Sequence, residues 1–100
     1  MIFKEGVKIA GARPEIVIAM MVADQVYREL TGNEVTITEV TGGKHGTGSL
    51  HYVGAAIDLR IWGLSKAMLT KIVLEIRERL GENFDVVLES DHIHVEFQPK

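Results

Sequence analysis

FDVVLESDHIHVEF, residues 84–97, holds the two segments that decide the fold. Residues 84–89 and 92–97 are short β-prone runs, joined by a tight Ser90-Asp91 connection, and they read most simply as an antiparallel hairpin. Side chains along a strand alternate between faces. In the second run Ile93, Val95 and Phe97 can therefore point into a core, while His92, His94 and Glu96 share the opposite face.

Upstream of the hairpin, the spacing predicts a helix over 65–80. Ser65 is placed to cap its start, and Leu69, Ile72, Val73, Ile76 and Leu80 form its apolar stripe. Gly81 closes it. Residues 55–62 read as a strand with Ala55, Ile57, Leu59 and Ile61 on one face and Ala56, Asp58 and Arg60 on the other. The stretch TGGKHGTGS at 41–49 has four glycines in nine residues and reads as a loop. Before it, the β-branched alternation of residues 35–40 predicts a strand. A first helix is expected over 14–30, opened by Pro14, striped by Ile16, Met20, Ala23, Tyr27 and Leu30, and stopped by Gly32. The order helix, strand, strand, helix, strand, strand predicts an α+β fold in which two helices pack on one face of a small, mostly antiparallel sheet.

One hundred residues accommodate a single domain, with no repeat or linker to divide it. Hydrophobic residues at 46% and charged residues at 25% suit a globular chain. A net charge of −3 without a basic run gives no reason to expect nucleic acid or an anionic membrane as partner. The longest apolar stretch, residues 16–23, is far too short to span a bilayer. The N-terminal residues lack a secretory pattern, so a cytoplasmic location as synthesised is expected. Composition does not separate a monomer from a small homo-oligomer. The absence of cysteine removes disulfides, thiolate metal sites and thiol nucleophiles.

Any metal site must then use imidazole and carboxylate. The four histidines, His45, His51, His92 and His94, all fall outside the predicted helices. His51 precedes Asp58 by seven residues, and a turn at Gly54 would let both side chains meet at one point. Ala56, on the same strand face as Asp58, leaves space there. One imidazole from the His92/His94 face completes a two-histidine, one-carboxylate set. Zinc accepts that set and leaves a fourth position for water; ferrous iron is the alternative. Taken singly, each residue has a plainer reading, a surface histidine or an Asp58 paired with Arg60. The joint pattern favours a site.

That pattern is Ser49-Leu-His51-Tyr-Val-Gly54-Ala-Ala56-Ile-Asp58 followed by Asp91-His-Ile-His94. It resembles the S-x-H-x-x-G-x-A-x-D and terminal-histidine motifs of the D-alanyl-D-alanine carboxypeptidase family of zinc peptidases, phage endolysin peptidases included. The stretch KHGTGSLHYVGAAID at 44–58 is also similar to the fold-related hedgehog signalling domains. The likeness covers about residues 35–97. It implies the hedgehog/DD-peptidase-like zinc fold, with zinc held by His51, Asp58 and His94. It also implies an acidic general base, Asp91 as in the peptidases or Glu89 as in hedgehog domains. Strict strand alternation turns Asp91 away from the metal unless the chain bends at the hairpin. His45 corresponds to a histidine that steadies the oxyanion or moves a proton. Lys44, Ser49 and His92 are the candidate substrate-facing residues. The family's carboxylate-gripping arginine is missing from the loop after the first strand, where Gly42-Gly43-Lys44 stand instead, and Lys44 offers charge without a bidentate fork.

The implied activity is hydrolysis of amide bonds in peptidoglycan peptides. A non-catalytic zinc module that serves protein interaction, as hedgehog domains are regarded, is the alternative. A chain of this kind would reach the cell wall if a phage lysis system released it.

Overall fold

The computed structural model describes residues 1–43 and 48–100. Among them, two helices pack on a five-stranded sheet. The elements are β1 (Ile2–Phe3), α1 (Pro14–Thr31), β2 (Thr36–Glu39), β3 (Ala56–Arg60), α2 (Lys66–Leu80), β4 (Phe84–Leu88) and β5 (His92–Phe97). Strand order across the sheet is β1-β2-β3-β5-β4. All neighbours are antiparallel except β1 and β2, which are parallel, so the sheet is mixed.

The helices form where the apolar spacing predicts. α1 starts with Pro14 in its first turn and buries Ile16, Ala19, Met20, Ala23, Val26 and Tyr27. It ends at Gly32, whose φ of 79° is a left-handed conformation that costs glycine little. α2 is capped by Ser65, whose Oγ accepts the Met68 N–H at 3.1 Å. Its stripe of Leu69, Ile72, Val73 and Ile76 joins that of α1 in one core.

The sheet supplies the other half of that core through alternate residues. Ile37, Ile57, Leu59, Ile93 and Val95 are fully buried against the helices. Burying a side chain of this size contributes roughly 1.5–3 kcal/mol, so the alternation fixes which face of each strand is turned inward. A slip of one residue would exchange the two faces. The opposite face of β3 and β5 is therefore left to Asp58, Arg60, His92, His94 and Glu96.

β1 was not expected from the sequence. A two-residue strand is too short to show a period, and its hydrogen bonds, Ile2 N–H to Val35 O and Lys4 N–H to Ile37 O, both 2.9 Å, are long-range. Along β3 the ladder is shorter than the apolar run at both ends, closing at Ala56 and Arg60. The hairpin predicted at Ser90-Asp91 is present, closed by the Glu89 N–H donating to His92 O at 2.8 Å.

Candidate metal centre

Strand register does most of the assembly. In the β3–β5 ladder Ala56 lies opposite Glu96, Asp58 opposite His94, and Arg60 opposite His92. Directly opposed residues hold their Cβ atoms about 4.5–5.5 Å apart, so the carboxylate of Asp58 and the imidazole of His94 are neighbours by construction. Asp58 Oδ1 lies 3.0 Å from His94 Nδ1.

His51 comes from outside the sheet. It sits in the turn that leads into β3, where the Gly54 N–H donates to His51 O at 3.0 Å and the Ala55 N–H to Leu50 O at 2.9 Å. Gly54 has a φ of 73°, and a Cβ there would run into the carbonyl oxygen of Gly11. Glycine is thus required twice over at this turn, for its backbone angle and for the close approach of the segment before α1. The reversal points His51 back at β3, with Nε2 3.1 Å from Asp58 Oδ1. His51 is only 2% exposed.

The three side chains offer ligand atoms that lie within 4.8 Å of one another. Donor atoms around a four-coordinate zinc ion, at bond lengths of about 2.0–2.2 Å, stand about 3.3–3.6 Å apart. The two nitrogen–oxygen separations of 3.1 and 3.0 Å are already close to that spacing. This His/Asp/His group can hold a metal ion.

Hydrogen positions give a second argument. His51 Nδ1 lies 2.8 Å from Val40 O, and His94 Nε2 lies 2.9 Å from Glu96 Oε1. Each ring thus stands between two acceptors, a carbonyl or carboxylate outside and Asp58 inside. A neutral imidazole has one N–H and can donate to only one of them. A cation in place of the inward protons would let each ring keep its outer hydrogen bond while its other nitrogen serves as a ligand. The outer acceptor on each ring is the arrangement typical of metal-bound histidine, because it fixes the tautomer and aims the lone pair at the ion.

Electrostatics run the same way. Burial by itself would push the Asp58 carboxyl up, and hydrogen bonds from His51 and His94 overcome it and hold the group well below the usual carboxylate range. The hydrogen bond to Asp58 raises His94 above the ordinary histidine value, against the effect of burial and with help from Glu96. A buried carboxylate that gathers cationic partners is an anionic socket.

No protein-family model and no curated protein matches the chain. The metal centre is therefore assigned on its own geometry.

The other residues singled out from sequence are distributed unevenly. His92 is brought in, with Nε2 3.5 Å from Asp58 Oδ1 and Nδ1 2.6 Å from Asp91 Oδ1. Asp91 and His92 line a cleft of about 380 Å³ that opens beside Asp58. The chain bends at Ser90-Asp91, which supplies the departure from strand alternation that Asp91 needs. Glu89 is exposed and is not among the residues lining that cleft. Ser49 serves the turn, its Oγ accepting the His51 N–H at 3.3 Å, and it too is outside the lining. Lys44 and His45 lie outside the described residues.

Two contributors were not foreseen. Val40 acts through its carbonyl, which carries no side-chain signal. Glu96 carries one, since a strand reading His94-x-Glu96 sets the two on one face where they can bond. Asp58 does not pair with Arg60, the plainer reading of a strand aspartate; Arg60 lies instead on the ring of Trp62, its guanidinium carbon 3.7 Å from the ring centroid. Among the described residues no helix is long and apolar enough to cross a membrane.

Proposed function

We propose that this chain is a zinc-dependent metallopeptidase that hydrolyses amide bonds in peptidoglycan peptides. The observation that carries the reading is the meeting of His51 Nε2 and His94 Nδ1 on Asp58 Oδ1 beside an open cleft. Two imidazoles and one carboxylate suit zinc, and such a set leaves a coordination position for reaction. The peptide substrate follows from the resemblance of residues 49–58 and 91–94 to the D-alanyl-D-alanine carboxypeptidase motifs. Zinc, when bound, supplies Lewis acidity toward a carbonyl oxygen and makes water acidic enough to act as a nucleophile near neutral pH.

The chain's own residues divide the remaining work. Asp91 borders the cleft and is the general base, taking a proton from the attacking water and later delivering it to the leaving amine. His92 holds the Asp91 carboxylate through Nδ1 and so limits where it can swing. Val40 and Glu96 keep the two ligand rings turned toward Asp58.

The test is incubation of the zinc-loaded protein with purified peptidoglycan peptides and measurement of new amino groups. Hydrolysis is expected, abolished by a strong chelator and restored by zinc. Asp91→Asn is expected to lower the rate about 10²- to 10⁴-fold, the range for loss of a positioned acid–base group, with zinc content unchanged, while Glu89→Gln keeps it. A zinc-loaded wild type that releases no amino groups would instead fit the non-catalytic zinc module.

A further inference from the structure

Arg60 is a charged side chain of the cleft that the metal centre leaves unused. It follows Asp58 by two positions in β3 and shares its face, so the two Cα atoms lie about 7 Å apart along the strand. Both residues line the same cleft of about 380 Å³, with Trp62 and Lys4. Among the described residues the Arg60 guanidinium has no hydrogen-bond or ion-pair partner, and its Nε is shut off from solvent without an acceptor. Buried or half-buried guanidinium groups are ordinarily paired.

The nearby carboxylates do not supply the partner. Asp58 is engaged by the histidines, Asp91 is bonded to His92, and the Glu39 carboxylate lies against Gly43, where a Cβ would collide with it. What Arg60 does have is a platform. Its guanidinium lies 3.7 Å from the Trp62 ring centroid, a cation–π contact that holds the planar group in place without using its N–H donors. An oriented fork of free donors beside a metal centre matches a planar anion accepting two parallel hydrogen bonds.

We propose that Arg60, held on Trp62, is the carboxylate receptor of this cleft and grips a carboxylate of the peptide that flanks the scissile amide. The scissile amide rests on the peptidase reading; the receptor itself does not. The carboxylate is either the chain terminus or an acidic side chain next to the cleaved bond. The first makes the enzyme trim ends; the second lets it cut internally.

Trp62 is the chain's one tryptophan, so its fluorescence reports on the stack directly. The zinc-loaded protein is titrated with acetyl-D-alanyl-D-alanine and with its C-terminal amide. A second pair of amidated peptides carries D-glutamate or D-glutamine beside the scissile position. One acid is expected to shift the fluorescence at least about 10-fold more tightly than its neutral counterpart, the scale of a hydrogen bond to a charged group. Which pair discriminates identifies the source of the carboxylate. Arg60→Gln is expected to erase the difference with zinc content unchanged, and Arg60→Lys, a point charge without a fork, to restore part of it. In hydrolysis the acid-over-neutral ratio of kcat/KM falls by the same factor, mostly through KM.

Discrimination in binding without hydrolysis sustains the receptor and removes the peptidase reading. Hydrolysis with no discrimination in either pair, or discrimination that survives Arg60→Gln, overturns the receptor and leaves the peptidase reading standing.

Discussion

Glu96→Ala is expected to weaken zinc binding about 10- to 100-fold, or about 1.4–2.8 kcal/mol, although Glu96 is not a ligand. The carboxylate accepts from His94 Nε2 at 2.9 Å, and this bond leaves Nδ1, on the Asp58 side, as the nitrogen whose lone pair can face the ion. Glu96 is held in turn: with its amide nitrogen turned toward the strand, Gln98 donates to Glu96 Oε2 at 2.6 Å and to Asp85 Oδ2 at 3.0 Å. Removing the carboxylate frees the His94 ring to rotate and to take the other tautomer. Glu96→Gln keeps an acceptor but loses the charge, so its effect is expected to be under about 10-fold. Competition with a chromophoric chelator gives both affinities, and thermal unfolding of the metal-free variants separates a site effect from a folding one. Unchanged affinity in Glu96→Ala would refute the reasoning, since His94 would then be oriented by something else.

Gly54→Ala tests the turn that delivers His51. The backbone angle alone costs about 1–3 kcal/mol for a residue with a Cβ, and the collision with Gly11 adds to it. The thermal midpoint is expected to fall by about 8 °C or more, with loss of zinc affinity; a drop of a degree or two would contradict the close approach. Tyr27→Phe removes a hydrogen bond from the phenol to Arg60 O, 2.9 Å long, and is expected to cost about 1 kcal/mol in denaturant unfolding without changing zinc content. The pH response of the metal-free protein follows from the two shifted groups. The raised His94 contributes stability in full below its unfolded value of about 6.5 and loses it as pH rises through the folded value; the depressed Asp58 contributes above about 3.9 and loses it as pH falls through its own. As pH rises from about 6.5 the metal-free midpoint should therefore fall while zinc binding strengthens, because metal requires deprotonated ligands. A metal-free midpoint that climbs over this range contradicts the assignment.

Most of the fold could be read from local patterns because the helices and the hairpin are local. Proline at position 14, glycine at 32 and serine at 65 mark ends of elements, and the stripes between them become the core. β1 escaped notice because its pairing with β2 joins residues more than thirty positions apart and has no period to detect. The same limit explains the site. His51 and Asp58 could be linked through Gly54, seven residues being within reach of one turn. Which of His92 and His94 faces Asp58 depends on the register between β3 and β5, and no composition of either strand states it. The resemblance to the peptidase motifs chose His94, and the register agrees. That Asp91 borders the cleft and Glu89 does not depends on the bend at the hairpin, a backbone feature. Arg60 and Trp62 were visible as neighbours two positions apart; that the guanidinium lies unpaired on the indole depends on how β3 ends.

Metal quantification on the purified wild type and on His51→Ala, Asp58→Ala and His94→Ala tests the metal centre most directly. After reconstitution and removal of loose metal, one zinc ion per wild-type chain is expected, with each single replacement releasing it while the helices and sheet remain by circular dichroism. A wild type that stays empty when offered zinc, or three variants that keep the ion, would mean that these side chains meet for another reason.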